Sequence, residues 1–256
     1  MKIAVCFSGQ LSRFNINLHV FREQLAIYAN HSVDLFFSFW GNEDLNSFHK
    51  KIEDNIKPEF KNNINIRNLE LIQNCEWKSK HPNSKCWSRG NSAESIICMY
   101  KSIKNADILR QNFEKQNNLN YDLVIRSRPD ILISGDIDFE KWKHKLDSEK
   151  IAIIPKNYNW CEHWSENGML CDLWFVAKPK AMEEICKIAD LVDDHVDSGC
   201  RLHPESLLWW QIEKHVNISS FFQTNNIIRP LYSFEHCEVI LHRNGNAVKY
   251  KDKSAI

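Results

Sequence analysis

The chain has 256 residues, with 33 basic and 33 acidic side chains, 43% hydrophobic and 26% charged residues. That is ordinary globular usage, enough for a sizeable core, and it argues against disorder. The formal net charge of +0 lacks the basic excess of an electrostatically driven nucleic-acid binder. No apolar run reaches the ~18 residues that span a bilayer.

In chain order, residues 2–7 predict a buried strand; the run is interrupted too soon by Ser8-Gly9-Gln10 to be a signal peptide. Residues 16–29 predict a helix with Ile16, Val20, Phe21, Leu25 and Tyr28 on one face. Residues 33–39 predict a second strand, followed by a polar helical stretch to Pro58 and a third strand over 64–71. Residues 74–90 read as a long loop. Ser92 then caps a helix running to about Gln116. Tyr121–Arg126 predicts the next strand, and 151–154 and 172–177 two more. Helices are expected over 179–196 and from Pro204 to His215, with Pro in the first turn of each. Weak strands are expected near 218–222 and 237–241, then a loose polar tail.

Strands alternating with helices predict an α/β fold with a mostly parallel sheet covered on both faces. No linker divides the chain, so 1–256 reads as one domain. Residues 1–150 form its nucleotide side, 151–245 its acceptor side and 246–256 its tail. The nine cysteines include no C-x-x-C pair and no export signal precedes them, which predicts free thiols in a reducing cytoplasm. The G-x-G-x-x-G fingerprint and the P-loop are both absent, which excludes the usual dehydrogenase, methyltransferase and P-loop kinase classes.

Ligands in such sheets sit beyond the carboxyl ends of the strands, which selects the loops at 8–14, 39–44 and 126–130. Gly9 lets the backbone approach a ligand, and Ser8, Gln10, Ser12 and Arg13 offer hydrogen-bond donors. In Arg126-Ser127-Arg128-Pro129-Asp130, one carboxylate is flanked by two cations. Such a set holds a divalent ion, binds a diphosphate or forms an internal salt bridge. Asp172 precedes a strand and follows an aromatic and polar loop at 160–168 suited to stacking a sugar. Glu205 opens a helix after His203-Pro204, where a carboxylate also complements the helix dipole. His236 and His242 are late histidines, of which His242 is the candidate metal ligand.

These blocks together resemble a group of GT-A-type glycosyltransferases found in bacterial surface-polysaccharide loci and in viral genomes. The resemblance rests on Ile3-x-x-x-x-Ser8-Gly9-Gln10, on Val33-Asp34-Leu35-Phe36-Phe37 with Phe39-Trp40, and on Tyr121-Asp122-x-Val124-Ile125-Arg126-x-Arg128-x-Asp130. It continues in Asp172-Leu173-Trp174-Phe175-Val176-Ala177 and in His203-Pro204-Glu205-x-x-Leu208.

The resemblance implies a GT-A-like fold and a nucleotide-sugar donor held by Ser8, Gly9, Gln10, Arg13, Arg126, Arg128 and Asp130. It implies Mn²⁺ or Mg²⁺ on the diphosphate, with Asp130 as the metal ligand that matches the motif; His242 is the candidate that would complete the metal site. However, Arg128 stands where the family's D-x-D motif has its first carboxylate. Asp172 or Glu205 would be the general base of an inverting reaction. The acceptor would be a glycan or lipid-linked saccharide in polysaccharide or lipopolysaccharide synthesis. The setting would be cytoplasmic, with peripheral contact to the inner face of a membrane. Competing readings are a nucleotidyl- or phosphotransferase, and an inactive nucleotide- or carbohydrate-binding module.

Overall fold

The structure, a computed structural model, describes residues 1–72, 80, 93–134, 137–148, 152–157, 170–213, 221–230, 239–243 and 246–250. The expected Ser92 cap, the 160–168 loop, His215, His236 and all of the 74–90 loop but Lys80 lie outside these residues.

The first half alternates strand and helix. The strands are β1 (Lys2–Gln10), β2 (Ser32–Trp40), β3 (Ile64–Ile72) and β4 (Leu123–Ser127). Between them come α1 (Leu11–Ile16), α2 (Leu18–Tyr28), α3 (Leu45–Asn55) and the 25-residue α4 (Ala93–Asn117). Then follow β5 (Ile131–Ser134), α5 (Phe139–Ser148), β6 (Ala152–Asn157), β7 (Trp174–Ala177), α6 (Pro179–Cys186), α7 (Ile188–Asp197) and α8 (Pro204–Gln211). The last strands are β8 (Phe221–Pro230), β9 (Val239–Arg243) and β10 (Asn246–Tyr250).

The main sheet has eight strands in the order β3-β2-β1-β4-β7-β6-β8-β5. The run β3-β2-β1-β4 is parallel throughout, so the α/β class and the mostly parallel first half are as expected. Beyond β4 the sheet is mixed: β7 is antiparallel to both β4 and β6, β5 is antiparallel to β8, and β6 is parallel to β8. β9 and β10 form a separate antiparallel ribbon, so residues 246–250 of the expected tail are a strand.

Burial on both faces explains why β1 and β2 are continuous apolar runs. Residues alternate between the faces. On one face Phe7 and Phe37 meet Phe14 of α1, Phe21 of α2 and Phe48 of α3, with ring centroids 5.2–6.3 Å apart. On the other, Cys6 Sγ donates to the Ala106 carbonyl of α4 at 3.7 Å, and Phe36 packs edge-on to Phe113 of α4. Asp34 accepts from the Tyr121 hydroxyl at 2.7 Å and pairs with Arg67 at 2.5 Å.

The expected helix over 16–29 is α2, and a further helix, α1, precedes it across Asn17, whose side-chain amide donates back to the Arg13 carbonyl at 2.8 Å. The expected 8–14 loop is therefore strand to Gln10 and helix from Leu11. The helix expected over 179–196 likewise divides, into α6 and α7 around Lys187.

The free-thiol expectation holds for Cys6, Cys171, Cys186 and Cys200 and fails for Cys98, which is disulfide-bonded. Disulfides persist in oxidising compartments, so the cysteines do not support a reducing one. No described helix is long and apolar enough to cross a membrane.

Candidate active site

The antiparallel direction of β7 creates the site. A strand antiparallel to β4 begins where β4 ends, so the segment before β7 arrives beside Arg126 and Arg128. Ser127 faces Trp174 in the ladder, and the Arg128 amide donates to the Leu173 carbonyl at 3.1 Å. The same carbonyl accepts from Nη1 of Arg126. Asp172 is the residue immediately before it.

The start of α8 closes the group. The Leu170 amide donates to the Glu205 carbonyl at 3.1 Å, and the Tyr100 hydroxyl of α4 donates to the Pro204 carbonyl at 2.5 Å. Nδ1 of His203 lies 2.8 Å from a Glu205 carboxylate oxygen. Asp172, Glu205, Arg126, Arg128, Tyr100 and His203 thus act on one another electrostatically.

Burial is the largest influence on Asp172, which is 3% exposed. Burial and the Glu205 charge raise its carboxyl to about 6, against the lowering pull of Arg126 and Arg128. Burial lowers Arg126 to about 10 in spite of Asp172, so the guanidinium stays charged at neutral pH. Burial also lowers His203, but Glu205 and Asp172 outweigh it and the imidazole ends above its ordinary value. Burial, then the Asp172 and Glu205 charges, pushes the Tyr100 hydroxyl far up, so it is a neutral donor.

Arg128 and Asp130 satisfy each other. Nε meets Oδ1 at 2.8 Å and Nη2 meets Oδ2 at 2.5 Å, and Asp130 is 1% exposed. Of the three roles open to this motif, the internal salt bridge is the one formed. Its turn is braced by Gln24 of α2, whose amide donates to the carbonyls of Arg128 at 2.9 Å and Ile131 at 2.6 Å. Gln24 Oε1 accepts from the Ser127 hydroxyl at 3.0 Å. Sequence reasoning missed Gln24 and Tyr100. Gln24 sits one helical turn from both Val20 and Tyr28 on the buried face of α2, and a polar residue in such a stripe was the available signal.

The residues present do not suit the divalent ion that the resemblance implies. Both Asp130 oxygens accept from Arg128, whose positive charge opposes a cation there. Among the described residues no three His, Cys, Asp or Glu side chains are grouped to hold a metal. His242 lies on β9, in the two-stranded ribbon rather than the main sheet.

The end of β1 lies between β2 and β4. Phe7 pairs with Ser127, the last residue of β4, so β1 continues through Ser8 beside the point where the chain leaves β4 for Arg128. Ser8 is buried, and its hydroxyl has no hydrogen-bond partner among the described residues. Gly9 has φ +146° and open space where a Cβ would stand, so its backbone is open to close approach. Gln10 is exposed, and Arg13 is half-buried on α1. A polar hollow lined by Gln111, Glu114, Asn118 and Glu183 lies towards the opposite end of α4, away from this group.

No protein-family model matches the chain, and no curated protein matches it. Among solved structures, the chain is similar to mouse xyloside xylosyltransferase 1 in its apo form. The identity is 10%, the TM-score is 0.48, and the match covers 88% of this chain and 85% of that one.

Proposed function

We propose that the chain is a glycosyltransferase that moves a sugar from a nucleotide-sugar donor to a glycan or glycolipid acceptor. The observation that carries this reading is the Asp172 carboxyl, buried and raised to about 6 beside two arginines at the carboxyl end of β4. A general base works best with a pKa near the operating pH, and at neutral pH this group is mostly ionised.

In the reaction, the acceptor hydroxyl oxygen forms a bond to the anomeric carbon. The bond from that carbon to the phosphate oxygen breaks, and the nucleoside diphosphate leaves with the electron pair. Asp172 takes the hydroxyl proton. Arg128 stabilises the departing diphosphate by opening its pair with Asp130 towards it. Ser8, the Gly9 backbone, Gln10 and Arg13 hold the nucleotide at the end of β1. Glu205, whose side chain is 22% exposed, keeps the Asp172 proton affinity high and faces the acceptor side with His203.

The proposed setting, surface-polysaccharide or lipopolysaccharide synthesis at the inner face of a membrane, rests on the sequence resemblance. The Cys98 disulfide weighs against a reducing compartment. A second reading, a binding module without turnover, draws on the closed Arg128–Asp130 pair.

The test is incubation with UDP-, GDP-, CMP- and dTDP-sugars and a panel of acceptors, following nucleotide release. Release of a nucleoside diphosphate, or of CMP from the CMP-sugar, that stops in Asp172→Asn supports transfer. Binding without release supports the module. Release of pyrophosphate from nucleoside triphosphates supports a nucleotidyltransferase.

A further inference from the structure

The two arginines of the Arg126-Ser127-Arg128 motif are placed differently. Arg126 is 0% exposed, whereas the Arg128 side chain is 16% exposed at the rim. A diphosphate can reach the second once its pair with Asp130 opens, and the burial of the first keeps it away.

Arg110 of α4 is also 0% exposed and shows what a structural buried arginine looks like here. It is ringed by carboxylates: Asp107 at 2.6 Å, Glu114, and Glu183 at 3.4 Å. Among the described residues the Arg126 side chain makes one hydrogen bond, to the Leu173 carbonyl, and its Nε and Nη2 have no partner. Buried donors left unpaired are costly, which calls for a reason. The Asp172 carboxylate, one residue from the carbonyl that Arg126 holds, acts on this guanidinium electrostatically without a direct ion pair between them.

We propose that Arg126 is a positioning residue: it fastens the Asp172-bearing segment to the end of β4 and supplies the buried positive charge against which Asp172 ionises, while Arg128 meets the substrate's anionic group. This rests on the reading of Asp172 as the base. The groups acting on the Asp172 carboxyl are Arg126 and Arg128 from β4 and its end, Glu205 and His203 from the start of α8, and Tyr100 from α4. Removing Arg126 leaves burial and Glu205 to raise the carboxyl, with Arg128 and a backbone hydrogen bond at Asp172 opposing them.

The experiment is a ¹³C titration of the aspartate carboxyls, with Asp172 assigned by its loss in Asp172→Asn. In Arg126→Met the Asp172 carboxyl titrates about one pH unit or more above wild type. In Arg126→Lys, which keeps the charge, it rises less. The acid limb of kcat/KM moves with it, and the donor KM stays within twofold, about 0.4 kcal/mol.

An unchanged Asp172 titration in a folded Arg126 variant overturns the proposal. So does a tenfold rise in donor KM with an unmoved acid limb, which makes Arg126 a substrate ligand. Should neither variant fold, the Arg126 Nε resonance of the wild type is compared with that of Asp172→Asn, and a resonance that does not respond overturns it. The titration needs no turnover. A wild type that transfers no sugar therefore removes the glycosyltransferase reading and still leaves the pairing of Arg126 with Asp172 to be decided.

Discussion

Arg128 and Asp130 form a two-point ion pair at the end of β4, with Nε on Oδ1 at 2.8 Å and Nη2 on Oδ2 at 2.5 Å. The pair occupies both Asp130 oxygens, and in the proposed reaction Arg128 opens from it towards the anionic donor. Arg128→Ala is expected to lower kcat/KM at least about 100-fold, the loss of one electrostatic stabiliser of the transition state. Circular dichroism should show the fold intact, because Arg128 stands at the rim. Near-normal turnover in this variant would remove the arginine from the mechanism.

The same pair predicts how the site responds to metal. A nucleotide at about 100 times its Kd stabilises the fold by about 2.7 kcal/mol, visible as a rise in Tm. That rise should be equal in Mn²⁺ and in EDTA. A rise seen only with Mn²⁺ would mean that Asp130 leaves Arg128 for a cation.

Asp172 sets activity against stability. Its folded pKa, about 6, lies above its ordinary 3.8, so the folded state binds the proton more tightly than the unfolded state does. The stability contributed by this group is greatest below about pH 4 and falls as the pH rises to about 6. Asp172→Asn should therefore melt above wild type at pH 8, with the difference shrinking towards pH 5, while transfer is lost. A variant that melts below wild type at pH 8 would mean that the ionised carboxylate stabilises the fold.

His203 has the same sign, although its protonated form is the charged one. Its pKa is raised by Glu205 and Asp172 against the effect of burial, so its contribution is full below its ordinary value of 6.5. The contribution is lost as the pH climbs through the raised folded value. His203→Gln should cost more stability at pH 5.5 than at pH 8.5. Thermal melts at the two values check it, and an equal cost at both would show that the imidazole acts through packing alone.

Gly41 tests the packing beneath the site. A Cβ there would lie 2.6 Å from the Leu11 Cβ, so β2 and α1 approach closely only because position 41 carries no side chain. Gly41→Ala should cost about 1–3 kcal/mol, the usual range for overpacking. A Tm within one degree of wild type would show that α1 shifts freely.

Much of this was legible in the sequence because buried parallel strands are continuous apolar runs. Ile3–Phe7 and Val33–Phe39 could hardly be anything else. β5 and α5 were not legible. Ile131–Ser134 is short and directly follows a Pro-Asp turn, and α5 buries only Phe139, Trp142 and Leu146 among charged residues. β10 was hidden because Asn246–Tyr250 is short and mixes Asn and Lys with Ala, Val and Tyr, and its partner among the described residues is β9.

The candidate residues were individually visible, but their meeting was not. Composition gives Trp174–Ala177 as a strand and says nothing of its direction, and its antiparallel pairing with β4 is what delivers Asp172 to Arg126. Likewise Arg126 and Arg128 look equivalent in the sequence. Only burial separates the one beneath Asp172 from the one at the rim.

The most direct test of the account is the pH dependence of kcat/KM for sugar transfer, measured with whichever nucleotide-sugar supports turnover. The account predicts an acid limb near pH 6 in wild type and its disappearance, with a collapse of rate, in Asp172→Asn. Binding of donor nucleotides with no transfer at any pH, or the same acid limb and rate in Asp172→Asn, would contradict it.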